Sequence, residues 1–237
     1  MENKKTYILI LIAMVTILGL FVYMEQAKDK IVNPKEVLTT ADAKKFKKQY
    51  ESYNDKTKEN SNTPYLKVNI AEKNPMVYRS AQEIISLLKE GTGVIYFGFP
   101  TCPWCRNAVP VLLDAAKEEN VDKVYYFNAL EIRDTKKLID GKIVTEKEGS
   151  KEYYEIVALL KDFLPSYEGL EDDSIKRLYF PTVVFVKDGK VQSIHEGTVD
   201  SQTDASKGMT DKQKEELKNI YIKGMQSIST EVCDDKC

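Results

Sequence analysis

The chain has 237 residues, with 35 basic and 37 acidic side chains and a formal net charge of −2. This length suits one domain of ordinary size with attached segments, and the balanced charge excludes nucleic acid as an expected partner. The single histidine, His195, argues against a histidine-based catalytic or metal site. The four cysteines form two close pairs, Cys102/Cys105 and Cys233/Cys237, a number that suits redox or metal chemistry rather than a disulfide scaffold.

Residues 6–24 form an uncharged segment, mostly of Ile, Leu, Val, Met and Phe. At about 1.5 Å per residue, such a helix is just long enough to cross a hydrocarbon core of roughly 30 Å. No small-residue cleavage pattern follows it, so we expect an uncleaved signal anchor, with a cleaved signal peptide as the alternative. Lys4 and Lys5 precede the segment, so residues 1–24 are predicted to be a cytoplasmic N-terminus and a single-pass membrane anchor. The remaining chain is then extracytoplasmic, where thiols meet an oxidising compartment.

Residues 25–63 are polar and rich in lysine. Asn33-Pro34-Lys35-Glu36 is a typical helix start, and the helix is expected to run to about Tyr53. Residues 54–63 are expected to be a solvated linker. The whole of 25–63 is therefore predicted to be a charged, partly helical stalk, with a folded domain over residues 64–228.

The first half of the predicted domain alternates strands and helices. Leu66, Val68 and Ile70 alternate with polar residues, which predicts a short strand. Ser80-Ala81-Gln82-Glu83 is a capping box that opens a helix ending at Gly91. The same patterns predict, in chain order, a strand over 94–99, a helix from the cysteine pair to about 119, and a strand over 123–128.

The second half contains an insertion and then a hairpin. Residues 129–176 are charged and break the alternation, and they contain one clear helix over 151–164. A strand over 178–186 meets the Asp188-Gly189 turn, whose residues are typical of a hairpin, and a return strand ends at Gly197. A last helix is predicted over 210–228. Residues 229–237 then form a tail that carries the second cysteine pair.

The strand over 94–99 leads directly into Cys102-Pro103-Trp104-Cys105. This spacing places the first sulfur at a helix N-terminus, where free N–H groups and the helix dipole stabilise a thiolate. A zinc-binding pair is the alternative, but zinc needs four ligands, which only Cys233 and Cys237 could complete. We therefore expect a redox dithiol, no metal and no cofactor.

The order of these elements resembles the thioredoxin fold, an α/β fold with a central mixed sheet flanked by helices. Pro110, five residues after the second cysteine, lies where thioredoxins kink their active-site helix. Phe180-Pro181-Thr182 resembles the cis-proline loop of that family, and Gly197 matches its glycine near the active-site surface. The resemblance covers residues 76–228, with 129–176 as a helical insertion before the cis-proline strand.

The resemblance implies roles for several residues. Cys102 would be the nucleophile, and the more buried Cys105 would resolve the mixed disulfide. Pro181 is expected to be cis, with a trans proline at a strand edge as the alternative. The backbone of Phe180 would pair with an extended substrate segment beside Trp104 and Gly197.

Three further residues lie close to the dithiol in the sequence. Phe99 could belong to an apolar docking surface with Trp104 or could pack in the core. Arg106 is expected to be an exposed cation that could also hold a thiolate. Tyr96 stands where thioredoxins carry a buried aspartate, so the deprotonation of Cys105 must be assisted in another way.

More narrowly, residues 97–106 resemble the Phe-Gly-x-Pro-x-Cys-Pro-x-Cys-Arg pattern of membrane-anchored, extracytoplasmic thioredoxin-like proteins of Gram-positive bacteria, the bacteriocin-transport accessory type. The expected function is thiol–disulfide exchange that forms, isomerises or reduces disulfides in exported proteins. The expected partners are exported thiols and disulfides together with a membrane or extracellular redox partner. The alternative is a non-catalytic accessory module that binds an exporter or its cargo.

The second cysteine pair leaves three possibilities open. Cys233 and Cys237 could form a small-loop disulfide, could exchange electrons with Cys102 and Cys105, or could be an inert tail. An extracellular chain with few cysteines seldom keeps an idle pair, so we favour a disulfide. His195 is expected to lie on a strand face without a role.

Overall fold

The structure is a computed structural model that describes residues 34–59 and 61–229. The chain divides into two compact units, Met1–Ala41 and Asp42–Cys237. Of the first unit, the structure describes only residues 34–41, which form the first turns of helix α1. All contacts given below lie within the second unit.

The secondary structure contains five helices and seven strands among the described residues. The helices are α1 (Pro34–Glu51), α2 (Ala81–Glu90), α3 (Pro103–Glu118), α4 (Lys151–Leu160) and α5 (Asp211–Ile228). The strands are β1 (Met76–Tyr78), β2 (Gly93–Phe97), β3 (Val124–Phe127), β4 (Thr135–Ile139), β5 (Lys142–Lys147), β6 (Thr182–Lys187) and β7 (Lys190–Glu196).

The central sheet has five strands in the order β1-β3-β2-β6-β7. Strands β1, β3 and β2 run parallel, and β6 and β7 continue the sheet in antiparallel pairs. The parallel neighbours need crossover helices, which α2 and α3 supply. This α/β arrangement of a mixed sheet with flanking helices matches the thioredoxin fold predicted from the sequence.

Strand β2 lies in the middle of the sheet and is buried on both faces. Val94 and Tyr96 face a cluster that includes residues of α1, α3 and α5, whereas Ile95 and Phe97 face a cluster that includes α2 and α4. Successive side chains of a strand point to opposite faces, so one strand joins both halves of the core. The chain leaves this doubly buried strand just before the dithiol, which gives the cysteines a rigid support.

The prediction that residues 25–63 form a stalk is wrong for residues 42–51, the part of α1 that lies in the second unit. Ala43, Phe46 and Tyr50 are at most 1% exposed and belong to the first core cluster. The Phe46 ring stacks on Tyr50 at 4.5 Å and meets the edge of Tyr126 at 5.0 Å between centroids. Their spacing puts them on one helix face, so this face buries apolar surface that a free stalk would leave in water. Residues 25–33 lie outside the described residues.

The strand predicted over residues 66–70 is absent, although the apolar residues that alternate there with polar ones include side chains that are buried. Val68 and Ile70 are buried, but their N–H groups donate to the side chains of Asn54 at 3.0 Å and Glu51 at 2.8 Å. The Asn54 amide in turn donates to the carbonyl oxygen of Val68 at 2.8 Å. Side chains from the end of α1 and the turn after it thus take the place of a neighbouring strand. The domain boundary predicted at residue 64 therefore falls inside the folded unit.

The predicted helical insertion is only partly helical. Residues 135–147 form the β4–β5 hairpin, and the following helix α4 ends at Leu160 rather than at 164. The turn residues Asp140 and Gly141 have φ values of 50° and 71°, as tight hairpin turns require. Strand β5 is exposed along its whole length, so its sequence carries no alternation of apolar and polar residues that would have predicted it.

Several local predictions are confirmed. The capping box of Ser80 and Glu83 opens α2, and Thr210 caps α5 in the same way. The turn at Asp188 and Gly189 has positive φ values of 50° and 70° and joins β6 to β7. These signals depend on neighbouring residues alone, which is why sequence reasoning finds them.

The described residues, 34–59 and 61–229, include no helix that is long and apolar enough to cross a membrane. The predicted anchor over residues 6–24 lies outside the described residues. So do Cys233 and Cys237.

Replacing Phe46 with alanine should lower the free energy of unfolding by about 3–5 kcal/mol, because a fully buried ring leaves a cavity. We expect this in chemical denaturation of the full chain in detergent, followed by the fluorescence of Trp104. The matched control is Ile143→Ala on the exposed strand β5, which should change stability by no more than about 0.5 kcal/mol. Equal effects of the two substitutions would contradict the placement of α1 in the core.

Candidate dithiol site

Cys102 is the N-cap residue of α3, immediately before Pro103 in the first helical turn. Its sulfur accepts a hydrogen bond from the backbone N–H of Cys105 at 3.2 Å. Helix N-termini carry unpaired N–H groups and partial positive charge, and proline suits the first helical position because it has no N–H to leave unpaired. The first turn of α3 thus places backbone N–H groups where they stabilise a thiolate at Cys102.

The two sulfurs differ in their environments. A hydrogen bond from the Cys105 thiol, the N–H groups of Cys105 and Trp104, and the charge of Arg133 together lower the pKa of Cys102 despite its burial. Burial, followed by the neighbouring Cys102 sulfur, raises the pKa of Cys105 well above its usual range. Cys102 therefore has the properties of an attacking thiolate. Cys105, which is fully buried, has those of a thiol that keeps its proton.

The peptide bond between Phe180 and Pro181 is cis, as predicted. The Cys102 thiol donates to the carbonyl oxygen of Phe180 at 3.6 Å, so the loop before β6 faces the dithiol. The N–H of Gly197 donates to the carbonyl oxygen of Pro181 at 2.8 Å. The structure thus brings the predicted residues Phe180 and Pro181 against Cys102, with Gly197 directly behind the proline.

Aromatic side chains border the site. Trp104 and Phe99 are partly exposed and pack against the first core cluster. Phe99 also meets the ring of Phe180 edge to face, at 5.4 Å between centroids. Phe99 therefore packs against the core and also keeps an exposed face, and its part in a docking surface stays a prediction.

Arg133 was not predicted as a site residue. It comes from the insertion, and its guanidinium lies 4.9 Å from the centroid of the Phe180 ring. Its positive charge contributes to the lowered pKa of Cys102. An arginine in a charged segment has no motif of its own, so sequence reasoning had no signal that could have identified it.

Arg106 is not the exposed cation expected from the sequence, because only 1% of it is exposed. Its guanidinium donates to the carbonyl oxygens of Tyr50 at 2.8 Å, Pro100 at 2.9 Å and Leu66 at 2.6 Å. A further bond reaches the Asn54 side-chain oxygen at 2.7 Å. The arginine therefore holds the segments around the dithiol together rather than contacting a thiolate.

Tyr96 occupies the position beneath the dithiol where an aspartate was noted as missing. It is fully buried, and its hydroxyl forms a hydrogen bond of 2.8 Å with that of Tyr50. Tyr50 comes from α1, which the sequence predicts to lie outside the domain, so no sequence signal indicated this contact.

His195 has two described contacts, neither with the dithiol. Its Nε2 atom forms a hydrogen bond with the carbonyl oxygen of Thr198 at 2.7 Å, and its ring meets the edge of Tyr221. Burial lowers the pKa of His195, so its neutral form is favoured at pH 7. Among the described residues, no group of three or more His, Cys, Asp or Glu side chains could hold a metal ion.

No protein-family model matches the chain, and no curated protein matches it. Among solved structures, the chain is similar to oxidised thioredoxin O2 from Arabidopsis thaliana, with 18% identity and a TM-score of 0.31. The match covers 62% of this chain and 96% of that chain. The strand order, the cis proline and the dithiol at the start of α3, rather than this similarity, define the chain as a thioredoxin-fold protein with a dithiol site.

At pH 7, iodoacetamide should modify Cys102 at least about tenfold faster than Cys105, because a lowered pKa increases the thiolate fraction. The rate at Cys102 should level off at a lower pH than that of free cysteine. Peptide mass mapping of the reduced full chain separates the two sites, and Cys102→Ser is the control that leaves Cys105 alone. Equal rates at the two cysteines would contradict this assignment.

Proposed function

We propose that the protein is a thiol–disulfide oxidoreductase that acts through Cys102 and Cys105. The observation that carries this proposal is the position of Cys102, whose sulfur caps a helix while facing the carbonyl oxygen of Phe180. A thiolate stabilised in this way attacks disulfides readily, and Cys105 lies one turn further along the same helix to complete the exchange.

The substrate is proposed to be an extended segment of an exported protein. A cysteine on that segment would meet Cys102 while the backbone beside it pairs with the loop at Phe180 and Pro181. Partly exposed Trp104 and Phe99 would provide apolar contact next to the sulfur. Such contacts use backbone and aromatic surface, which suits many unfolded substrates rather than one sequence.

We place the enzyme at the cell membrane, with its N-terminus in the cytoplasm and the dithiol outside. The support for this location is the uncharged segment over residues 6–24 with Lys4 and Lys5 before it. The pattern at residues 97–106 is the basis for relating it to the accessory proteins of bacteriocin transport. A membrane or extracellular redox partner would then accept the electrons and restore the Cys102–Cys105 disulfide after each oxidation of a substrate.

The proposed direction is oxidation or isomerisation of substrate cysteines. Interactions that stabilise the Cys102 thiolate favour the reduced protein over its disulfide, so the disulfide becomes a better oxidant. The N–H groups of α3 and the charge of Arg133 act in this sense. Substrate thiols would then pass their electrons to the Cys102–Cys105 disulfide.

Equilibration of the full chain with glutathione buffers should show two-electron reduction of Cys102–Cys105 at a potential of about −180 to −120 mV, the range from disulfide isomerase to strong thiol oxidants. Thiol alkylation followed by mass measurement gives the reduced fraction. A midpoint near about −270 mV, as in thioredoxin, would instead support a reductase.

The substitution Cys102→Ser separates the enzyme from the accessory-module alternative. An oxidoreductase should lose disulfide exchange with a reduced, unfolded substrate completely, because without Cys102 there is no Cys102–Cys105 disulfide for the substrate thiolate to attack. The matched control is a chain with Cys233→Ser and Cys237→Ser, which keeps the proposed active-site pair. Retention of the cellular role in Cys102→Ser cells would favour the accessory module.

A further inference from the structure

We propose that Tyr96 is a catalytic residue that donates a hydrogen bond from its hydroxyl to the Cys105 sulfur, and that Tyr50 positions that hydroxyl. This inference rests on the proposed thiol–disulfide exchange. It concerns Cys105, the sulfur that neither Arg133 nor the helix N-terminus stabilises. The neutral phenol of Tyr96 would stabilise the buried thiolate of Cys105.

The hydroxyl of Tyr96 has a defined position beneath the dithiol. Tyr96 and Cys105 are both fully buried and belong to the same core cluster. The Tyr96 ring stacks on Tyr126, with 5.6 Å between centroids and 24° between planes. A Cβ atom at Gly98 would collide with the Tyr96 hydroxyl oxygen, so glycine at this position leaves the space that the phenol fills.

The two hydroxyl protons of Tyr50 and Tyr96 support one direction of the hydrogen bonds, from Tyr50 to Tyr96 and from Tyr96 to Cys105. The hydroxyls of Tyr50 and Tyr96 lie 2.8 Å apart, and either could be the donor. Within the described residues, neither hydroxyl has another oxygen or nitrogen partner. When Tyr50 donates to Tyr96, the Tyr96 proton is free for Cys105, the thiol whose pKa a hydrogen bond from Tyr96 lowers. The opposite direction would leave the buried proton of Tyr50 without an acceptor, which costs free energy.

The chemistry requires Cys105 to carry negative charge at one point of each exchange. When a substrate thiolate attacks Cys102 of the oxidised protein, the bond from Cys102 to Cys105 breaks and its electron pair leaves on Cys105. In the reverse step the Cys105 thiolate attacks Cys102, and the electron pair leaves on the substrate sulfur, which takes a proton from water. A hydrogen bond from Tyr96 stabilises the buried thiolate in both directions.

Tyr96 acts as a donor and not as a base. Burial raises the pKa of Tyr96 well above its usual range, so its hydroxyl keeps its proton at neutral pH. Burial also raises the pKa of Cys105, whereas the hydrogen bond from Tyr96 lowers it. The proton of the Cys105 thiol is therefore released to solvent, and no proton passes to the tyrosine.

Ellman's reagent provides a test with an internal reference, using the reduced full chain in detergent with Cys233→Ser and Cys237→Ser. Cys102 releases one thionitrobenzoate on attack, and Cys105 releases the second when it displaces the mixed disulfide. The test variants are Tyr96→Phe, which removes only the hydroxyl, and Tyr50→Phe. The matched control is Tyr221→Phe, because the Tyr221 hydroxyl is buried without a hydrogen-bond partner among the described residues.

The expected result is a slower second release. A hydrogen bond to an ionised group changes its ionisation about tenfold to a hundredfold, and the more basic thiolate recovers part of that loss as a better nucleophile. Tyr96→Phe should therefore slow the second release about 3- to 10-fold below pH 8, and should move its plateau to higher pH. Tyr50→Phe should have a smaller effect in the same direction. The first release should be unchanged in all variants.

Two outcomes overturn the inference, and they can be told apart. If Tyr96→Phe and Tyr221→Phe give the same ratio of second to first release, the phenol has no role while the proposed exchange stands. If the wild-type chain releases only one equivalent, Cys105 does not resolve the mixed disulfide, and the proposed function fails together with this inference. Should Tyr96→Phe not fold, an unchanged second release in Tyr50→Phe would still contradict the proposed hydrogen-bond chain.

Discussion

The buried guanidinium of Arg106 is the interaction on which the surroundings of the dithiol depend. A buried cation is costly unless its donors are paired, and no carboxylate among the described residues pairs with this one. Its partners are carbonyl oxygens of Tyr50, Leu66 and Pro100, which belong to the end of α1, to the extended segment and to the loop before the dithiol. Because the arginine also lies in the first turn of α3, it connects all three segments to the helix that carries both cysteines.

This connection places different groups around the two sulfurs. Cys102 has backbone N–H groups and the nearby charge of Arg133, whereas the buried surroundings of Cys105 include the phenols of Tyr50 and Tyr96. Charge and aligned N–H donors favour the thiolate form of Cys102, and the low-polarity surroundings of Cys105 disfavour its thiolate form. The two pKa values therefore move apart, which gives one cysteine the role of attack and the other the role of resolution.

The sequence predicted those features that depend on a few neighbouring residues. The dithiol at a helix start and the hairpin at Asp188 follow from short motifs, the cis Pro181 follows from the resemblance to thioredoxins, and all three are present. The packing of α1 could not be predicted, because its apolar stripe is interrupted by lysines and the Tyr96 hydroxyl that Tyr50 contacts lies 46 residues away. The burial of Arg106 could not be predicted either, since an arginine beside a cysteine usually reaches solvent. It is buried here because carbonyl oxygens from distant segments surround its guanidinium.

The two segments outside the conventional fold each contribute one group to the dithiol. The insertion supplies Arg133 on the side of Cys102, and α1 supplies Tyr50 beneath Cys105. The five-stranded sheet carries Tyr96 at the position where the resemblance to thioredoxins implies a buried carboxylate. A phenol needs a second donor to direct its proton, whereas a carboxylate accepts hydrogen bonds without one. In the proposed hydrogen-bond chain the packing of α1 therefore also has a chemical consequence: without Tyr50, the hydroxyl of Tyr96 would have no partner to direct its proton toward the sulfur.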